Sequence, residues 1–490
     1  MVRLWPRALW LRALAAAGFG ALAALGQAPW GLWALALPAF AVVIGLVGRQ
    51  TPWRAALVAL FAGAGYFGLA LSWLVQPFLI DAASDGWMAP FALLFMAFGL
   101  ALFWAAAGYA TRVLRGATGF AVALCAAELA RSYVLTGFPW ALIGHIWIDT
   151  PVAQAAALLG PVGLTLITLL AAAGLARLRA VPAAAALAGV AAAWGYGLWA
   201  LSQPLPAAKG ITLRLVQPAA EQRTKWDPEL AQQFLDRLLA FTAVKPAPDL
   251  VIWPETALPY LLERHPELAD MIATAGNGAP VALGMQRVLG VQGWNNLSVI
   301  AADGQIVASY DKHHLVPFGE YIPFGEALFD WLDISAFAPS AGNGYSAGIG
   351  PQLLDLGPKL GHVLPLICYE AVFPQDLRGT ERPDWLLQIT NDAWFGTQSG
   401  PFQHAAQARL RAIETGLPLV RVANTGVTAV YDARGRITAA LDFGIAAYLD
   451  TALPGALPPT PYARWGEGPV LVLLCGAALA LMRRRNANSA

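Results

Sequence analysis

Charged residues are scarce in this chain of 490 residues. Asp, Glu, Lys and Arg make up 12% of it, whereas an ordinary soluble domain has about 25%. Hydrophobic residues make up 58%, so the composition excludes a wholly soluble protein and is typical of a membrane protein. The formal net charge of +1 gives no electrostatic reason to expect nucleic acid as a partner.

Cysteine is rare as well, and three residues are too few for a disulfide framework. Cys125 and Cys475 lie in apolar segments, far along the chain from Cys368, so we expect Cys368 to be a free thiol. The chain also lacks an HExxH motif and the Cys/His spacing of common metal sites. We therefore expect no metal ion and no cofactor.

Long apolar runs take up much of the chain, and a helix needs ~20 residues to cross the hydrocarbon of a bilayer. A signal peptide at the N-terminus is one alternative, but a second apolar run follows almost at once and favours an uncleaved helical hairpin. We predict about eight membrane spans, near residues 9–26, 31–48, 55–76, 87–111, 117–135, 152–176, 182–201 and 467–482.

Lys and Arg are missing from alternate connections between these segments. The connections at 27–30, 77–86 and 137–151 contain neither residue, whereas arginines occur in the other connections and near both ends of the chain. By the positive-inside rule, both termini are cytoplasmic. We thus predict a bundle of seven spans (1–201), an extracytoplasmic domain (202–466), and a final span with a basic tail (467–490).

The membrane part contains two further features, one charged and one aromatic. Glu128 and Arg131 are three residues apart on one predicted helix, where they either serve function or pair to anchor the bundle. The aromatic residues of the Thr136–Trp140 stretch are either interfacial anchors or part of a lipid-facing floor beneath the outer domain.

The outer domain alternates strand-like with helix-like patterns, which predicts an α/β layered domain. Helix-like stretches occur at 228–242, 266–275 and 401–415. Strand-like runs occur at 211–216, 250–253, 281–286, 297–301, 306–310, 362–367, 385–389, 419–422 and 428–431. The irregular segment 323–350 carries several large apolar residues, so it is either a packed excursion or a mobile lid beside the bilayer.

Four strand-like runs end in reactive or polar residues. Cys368 follows a buried run, Glu255 follows another after a Trp-Pro pair, Lys312 and Glu320 surround a Pro/Gly turn, and the stretch 390–396 is polar and aromatic. A cationic neighbour lowers the pKa of a thiol, a carboxylate can carry its proton, and a lysine can hold the charge of an oxyanion. These residue types together predict acyl transfer through the cysteine. A catalytic pair of Cys368 with His404 is an alternative that the sequence leaves open.

The order Trp-Pro-Glu, Lys…Glu and Cys-Tyr-Glu resembles the nitrilase (carbon–nitrogen hydrolase) superfamily, whose domain is an α-β-β-α sandwich. Such a domain inserted after seven spans resembles the apolipoprotein N-acyltransferase family in particular. The resemblance implies a catalytic triad of Glu255 as general base, Lys312 at the oxyanion and Cys368 as nucleophile. Supporting or oxyanion roles fall to Glu320 and Tyr369, and substrate-binding roles to Trp226, Asn295 and Glu370. The doubled Asn295–Asn296 leaves the register of that strand open.

The resemblance also implies partners and a location. The acyl donor would be a phospholipid, namely phosphatidylethanolamine, and the acceptor the N-terminal amine of a diacylated apolipoprotein. The reaction would be a two-step, ping-pong transfer through a thioester, carried out at the outer face of the bacterial inner membrane, among membrane lipids. The alternatives are a membrane-bound amidase or hydrolase of the nitrilase type, and a transporter or lipid-binding protein with a degenerate enzyme domain.

Overall fold

The computed structural model describes residues 7–225, 227–323 and 344–487. The chain divides into two compact units, of which the first contains residues 1–204, 395–416 and 458–490, and the second contains residues 205–394 and 417–457. The predicted boundaries of the domains stay a prediction.

The first unit is helical, and each of the eight predicted apolar segments contains a helix. The helices are α1 (Arg7–Ala24), α2 (Trp33–Val47), α3 (Pro52–Ala70), α4 (Ala89–Ala110), α5 (Gly116–Arg131), α6 (Ala156–Leu175), α7 (Ala180–Ser202) and, at the end of the chain, Gly468–Ala487. Among the described residues, five helical stretches are long and apolar enough to cross a membrane: 7–24, 52–70, 82–110, 151–175 and 180–202. Helices 33–47 and 468–483 are apolar but shorter.

Glycine allows the first helices to pack closely. A Cβ atom added to Gly20 of α1 would lie 2.0 Å from the carbonyl oxygen of Ala62 in α3, and one added to Gly65 of α3 would lie 2.0 Å from that of Ala17. These backbones therefore approach one another at distances that only glycine permits, as in many membrane helix pairs.

The polar pair of this unit is fully enclosed. Arg131 and Glu128 lie 2.7 Å apart with both side chains buried, Trp104 donates to Glu128, and Arg131 donates to the backbone oxygens of Phe138 and Trp140. Trp140 is itself buried, so it is not an interfacial anchor. The contacts of the pair tie α5 to the segment that follows it. Of the two roles expected for the pair, these contacts favour anchoring of the bundle.

The second unit contains two six-stranded sheets, and their middle strands are parallel. The first sheet has the order β12-β1-β2-β3-β4-β5 and the second the order β11-β10-β9-β8-β7-β6. In the first, β1, β2 and β3 are parallel to one another, and in the second, β7, β8 and β9 are; the outer strands pair antiparallel. The strands are β1 (Thr212–Gln217), β2 (Leu250–Ile252), β3 (Val281–Leu289), β4 (Gln292–Ile300), β5 (Ile306–Asp311), β6 (Leu354–Asp355), β7 (His362–Ile367), β8 (Trp385–Thr390), β9 (Leu419–Ala423), β10 (Ala429–Tyr431), β11 (Ile437–Ala440) and β12 (Ala447–Ala452).

Two amphipathic helices cover the first sheet. Helices α8 (Pro228–Thr242) and α9 (Glu267–Ala275) share one apolar core with β1, β2 and β3, in which Leu235, Ile272 and Val281 are almost fully buried. The helix α10 (Gly400–Thr415) lies in the chain between β8 and β9. All nine strand-like runs form strands, as predicted, and antiparallel hairpins join β4 to β5 and β10 to β11.

Candidate active site

Three reactive residues lie at or just after the ends of strands. Glu255 comes after β2, Lys312 after β5 and Cys368 after β7, and all three side chains are buried. The Nζ atom of Lys312 lies 3.9 Å from Oε1 of Glu255, and both charges act on the Cys368 thiol. The structure therefore brings together the triad that the sequence predicts, although its catalytic role stays a prediction.

The Glu255 carboxylate is held from two sides. Oε1 accepts a hydrogen bond of 2.7 Å from Nδ2 of Asn295, and Oε2 accepts one of 2.7 Å from the backbone N–H of Asn391, which follows β8 of the other sheet. Burial raises the pKa of the Glu255 carboxyl, and the negative charge of Glu320 raises it further against the opposing effect of Lys312. A carboxylate with a raised pKa is suited to take and return a proton near neutral pH.

The Lys312 ammonium is fixed mainly by Glu320. Its Nζ atom lies 2.9 Å from Oε1 and 2.8 Å from Oε2 of that carboxylate. Burial lowers the pKa of Lys312, but the charges of Glu320, Cys368 and Glu255 outweigh it, so that the pKa is raised and the lysine stays charged. A fixed, dry ammonium is a strong electrostatic group for a developing oxyanion.

Asn295 links the two glutamates, and the hydrogen bonds show which of the neighbouring residues Asn295 and Asn296 faces the site. Nδ2 of Asn295 donates to Oε1 of Glu255 and, at 3.1 Å, to Oε1 of Glu320. Asn296 points to the opposite face of β4, where it donates to Ser309 and Asp311, because neighbouring residues of a strand alternate. Asn295 is thus the residue that faces the site.

Cys368 sits in a strained turn. Its φ is +52°, a region that residues other than glycine rarely adopt, and it begins the short 3₁₀ helix Cys368–Val372. Burial raises the pKa of its thiol well above the usual value, the Glu255 charge adds to this, and Lys312 and a hydrogen bond with Thr390 act against it. The resting sulfur is therefore a thiol that needs a base.

Backbone strain recurs beside the other site residues. Thr256, next to Glu255, has a φ of +45°, and Phe318, two residues before Glu320, has a φ of +63°. Strained positions of this kind cost ~1–3 kcal/mol each and cluster at functional sites. All the turns that carry the two glutamates and the cysteine share this property.

Glu370 joins the lysine loop to the cysteine turn. Its buried carboxylate accepts hydrogen bonds from the backbone N–H of Ile367 on one side and from those of His313 and His314 on the other. These residues neighbour Cys368 and Lys312 in the chain, so one carboxylate sets the spacing of both. Substrate binding by Glu370 stays a prediction.

Tyr369 lies directly after the cysteine and is buried. Its ring packs edge-on against Phe373 and His314, at centroid distances of 4.8 Å and 5.8 Å. The backbone N–H of Tyr369 is the group that the sequence predicts at the oxyanion, and this role stays a prediction. Trp226 and most of the predicted lid lie outside the described residues.

Beneath Cys368 lies a buried network that sequence reasoning missed. Gln388 donates at 3.0 Å to the Cys368 carbonyl oxygen and accepts from Arg421, and Arg421 pairs with Asp392 at 2.5 Å with both side chains fully buried. Thr390, which hydrogen-bonds the thiol, donates to Asp392 at 3.0 Å. The sequence does contain a sign of this network, because each of the apolar strands β8 and β9 carries a polar residue, Gln388 in the first and Arg421 in the second.

Lys225 is a second buried lysine close to the base that sequence reasoning also missed. Its Nζ atom donates to Oγ1 of Thr256 at 2.7 Å and to the backbone oxygen of Glu255 at 3.4 Å. Burial lowers the pKa of Lys225 to about 8, with the Glu255 charge acting in the opposite direction. This lysine braces the strained turn that carries the base.

One group of side chains among the described residues has the spacing to hold a metal ion. The ligand atoms of His313, His314 and Asp376 lie within 4.8 Å of one another. Although burial lowers the pKa of His313, hydrogen bonds and charge from Asp376 and Glu370 raise it to about 9. A proton therefore competes with a metal at this imidazole, and the expectation of no metal stays a prediction.

Comparisons with known proteins match this arrangement over nearly the whole chain. Residues 19–174 match the model of the apolipoprotein N-acyltransferase N-terminal domain, and residues 212–457 match that of the carbon-nitrogen hydrolases. An apolipoprotein N-acyltransferase of Bradyrhizobium diazoefficiens is 37% identical, with coverage of 97% of this chain and 95% of the relative. The chain belongs to the apolipoprotein N-acyltransferase family.

A second member of this family, from Caulobacter vibrioides, is 39% identical over 92% of each chain. Among solved structures, a mutant of the Nesterenkonia AN1 amidase from the nitrilase superfamily is 16% identical, with a TM-score of 0.41 over 55% of this chain and 99% of that one. The membership confirms the predicted family and fold class, a membrane helical part with a nitrilase-like α/β domain. It also confirms that the protein is an acyltransferase of the membrane.

Proposed function

We propose that this protein transfers an acyl chain from a phospholipid, through a thioester on Cys368, to the N-terminal amine of diacylglyceryl-cysteine in an apolipoprotein. The observation that carries the proposal is the Lys312 ammonium held between Glu320 and Glu255 beside a strained, buried cysteine. That arrangement provides a nucleophile, a base and an oxyanion partner in one buried site. The proposed donor is phosphatidylethanolamine.

In the first step, Glu255 takes the proton of the Cys368 thiol as the sulfur attacks the ester carbonyl. The tetrahedral oxyanion lies against the Lys312 ammonium and the backbone N–H of Tyr369. When the carbon–oxygen bond breaks, Glu255 returns its proton to the leaving alkoxide, and the lysophospholipid departs. The acyl chain remains bound to the sulfur as a thioester.

In the second step, the free α-amine of the diacylated cysteine attacks the thioester carbonyl. Glu255 accepts the proton that the amine loses, and the carbon–sulfur bond breaks. The proton then returns to the sulfur, so the thiol is restored and the acceptor carries an amide. The raised pKa of Glu255 supports its use as a base in one half of each step and an acid in the other.

We also propose the arrangement in the membrane that the arginines indicate. Eight spans, with both termini in the cytoplasm, would place residues 202–466 as a catalytic domain outside the inner membrane of a bacterium. Both substrates are anchored in the outer leaflet, so a domain tethered there reaches them without extracting either from lipid.

The experiment that tests the transfer uses purified full-length protein in detergent, labelled phosphatidylethanolamine and a short peptide that begins with diacylglyceryl-cysteine. We expect label in an amide on the peptide, and none on a control peptide whose α-amine is acetylated. Release of free fatty acid at the same rate with either peptide would instead identify a hydrolase of the amidase type.

A further inference from the structure

The helical unit contains a basic cavity that the acyl-transfer reaction does not use. It has a volume of about 550 Å³ and lies among the ends of α2, α5, α6 and α7. Arg49, Arg177 and Arg179 line it, and none of the three has a carboxylate within ion-pair distance in the described part of the chain. The cavity is therefore positively charged, and no carboxylate of the described residues pairs with its arginines.

Part of the cavity wall is apolar. Ile44, Val181, Pro182 and Ala185 line it beside the arginines. A Cβ atom added to Gly45 would have its nearest neighbour, Ala176, at 3.9 Å. Glycine thus leaves room at the apolar side of the cavity.

The positions of the arginines match a head group that lies at the membrane surface. Arg49, Arg177 and Arg179 are all exposed at the helix ends, and Arg177 donates to Thr118 at 2.7 Å, which orients one guanidinium. Guanidinium groups bind phosphate through paired N–H donors. By the positive-inside rule, these connections face the cytoplasm, where basic pockets between helices attract anionic lipids.

We propose that this cavity binds the head group of an anionic phospholipid of the cytoplasmic leaflet. The phosphodiester would lie between Arg49, Arg177 and Arg179, and the first methylenes of the acyl chains would lie along Ile44 and Val181. The size of the cavity is within the ~300–1,000 Å³ of small-molecule sites. This lipid is separate from the acyl donor, because donor and acceptor are used on the other side of the membrane.

Thermal unfolding of full-length protein in a neutral detergent tests the proposal, with phosphatidylglycerol as the probe. We expect phosphatidylglycerol to raise the Tm, and phosphatidylcholine, which carries no net charge, or free glycerol phosphate to leave it unchanged. In the triple variant Arg49→Gln, Arg177→Gln, Arg179→Gln, the apparent affinity for phosphatidylglycerol should fall at least about tenfold.

The matched control removes the same charge at the same end of the helices, from arginines that do not line the cavity. The variant Arg54→Gln, Arg112→Gln, Arg115→Gln should keep the Tm response to phosphatidylglycerol. An equal loss in both triple variants would show a general attraction of basic surface for anionic lipid and would overturn the proposal, as would no loss in either. A response to free glycerol phosphate would overturn the assignment to a lipid.

A second variant tests the cavity without changing any arginine. Gly45→Leu fills the cavity from its apolar side, where the glycine has space, and should abolish the response. Gly99→Leu, at a glycine of α4 with no atom within 4 Å of an added Cβ, should keep it. An unchanged response in Gly45→Leu would exclude this cavity as the site.

Discussion

Replacing Glu320 with glutamine tests whether the two carboxylates of the site act on each other through their charges. Nδ2 of Asn295 donates to both of them, at 2.7 Å and 3.1 Å, so the two acceptor oxygens are no more than about 6 Å apart. At that distance and an effective dielectric constant of about 20, two unit charges repel by about 3 kcal/mol, which corresponds to about 2 pH units.

The sign of the expected change follows from the role of Glu255 as a base. Burial, and then the Glu320 charge, raise the pKa of Glu255, and activity is lost as the pH falls through that pKa. Without the Glu320 charge the pKa falls, so in Glu320→Gln the acid limb of the pH profile should move to lower pH, by up to about 2 units. The plateau should fall as well, because Lys312 loses a partner at 2.8 Å.

The assay is kcat/KM for acyl transfer to the diacylated peptide, measured across the acid range in detergent. Glu229→Gln is the control, because this exposed glutamate lies in the first turn of α8 and should leave the limb in place. An acid limb that stays where it is, or moves to higher pH, in Glu320→Gln would refute the charge coupling.

Three further substitutions test the support of the site. Lys225→Met removes a group that holds a proton only in the unfolded chain between about pH 8 and pH 10.5, so the unfolding free energy of the wild type minus that of the variant should rise across this range in chemical denaturation. Gly284→Ala places a Cβ 2.6 Å from Cα of Glu255 and should lower kcat at least about tenfold, whereas Gly293→Ala, where the nearest atom to an added Cβ is 3.9 Å away, should not. Gln388→Leu removes the donor to the Cys368 carbonyl oxygen and an acceptor of Arg421; because two buried groups lose partners, the unfolding free energy should fall by about 2–6 kcal/mol in chemical denaturation.

The fold could be predicted where the chain repeats a clear pattern. The apolar segments and most of the nine predicted strands carry their own signal, since a strand that is covered on both faces is apolar throughout; β5 is the exception, because it is largely exposed. The edge strands β11 and β12 were missed because they are half-exposed and mix polar with apolar residues. The two-residue strand β6 is too short to give a pattern.

The candidate site could be predicted only where residues follow strands in a recognisable order. Glu255, Lys312 and Cys368 could be found in this way, although β3 and β4 lie between β2 and β5 and β7 belongs to the other sheet. The partnership of Arg421 with Asp392 could not, since it depends on how two strands lie side by side, and the bond from Gln388 to Cys368 depends on the turn after β7. Such contacts belong to the packed sheets and not to any local stretch of sequence.

The most direct test of the account is the mass of the protein after incubation with phosphatidylethanolamine and no acceptor. We predict one added acyl chain on Cys368, removed by hydroxylamine and discharged by a diacylglyceryl-cysteine peptide faster than by water. Cys368→Ala should remain unmodified, with its fold intact by thermal unfolding. A Cys368→Ala protein that transfers the acyl chain as well as the wild type, or a wild-type protein that transfers it without ever carrying it, would contradict the account.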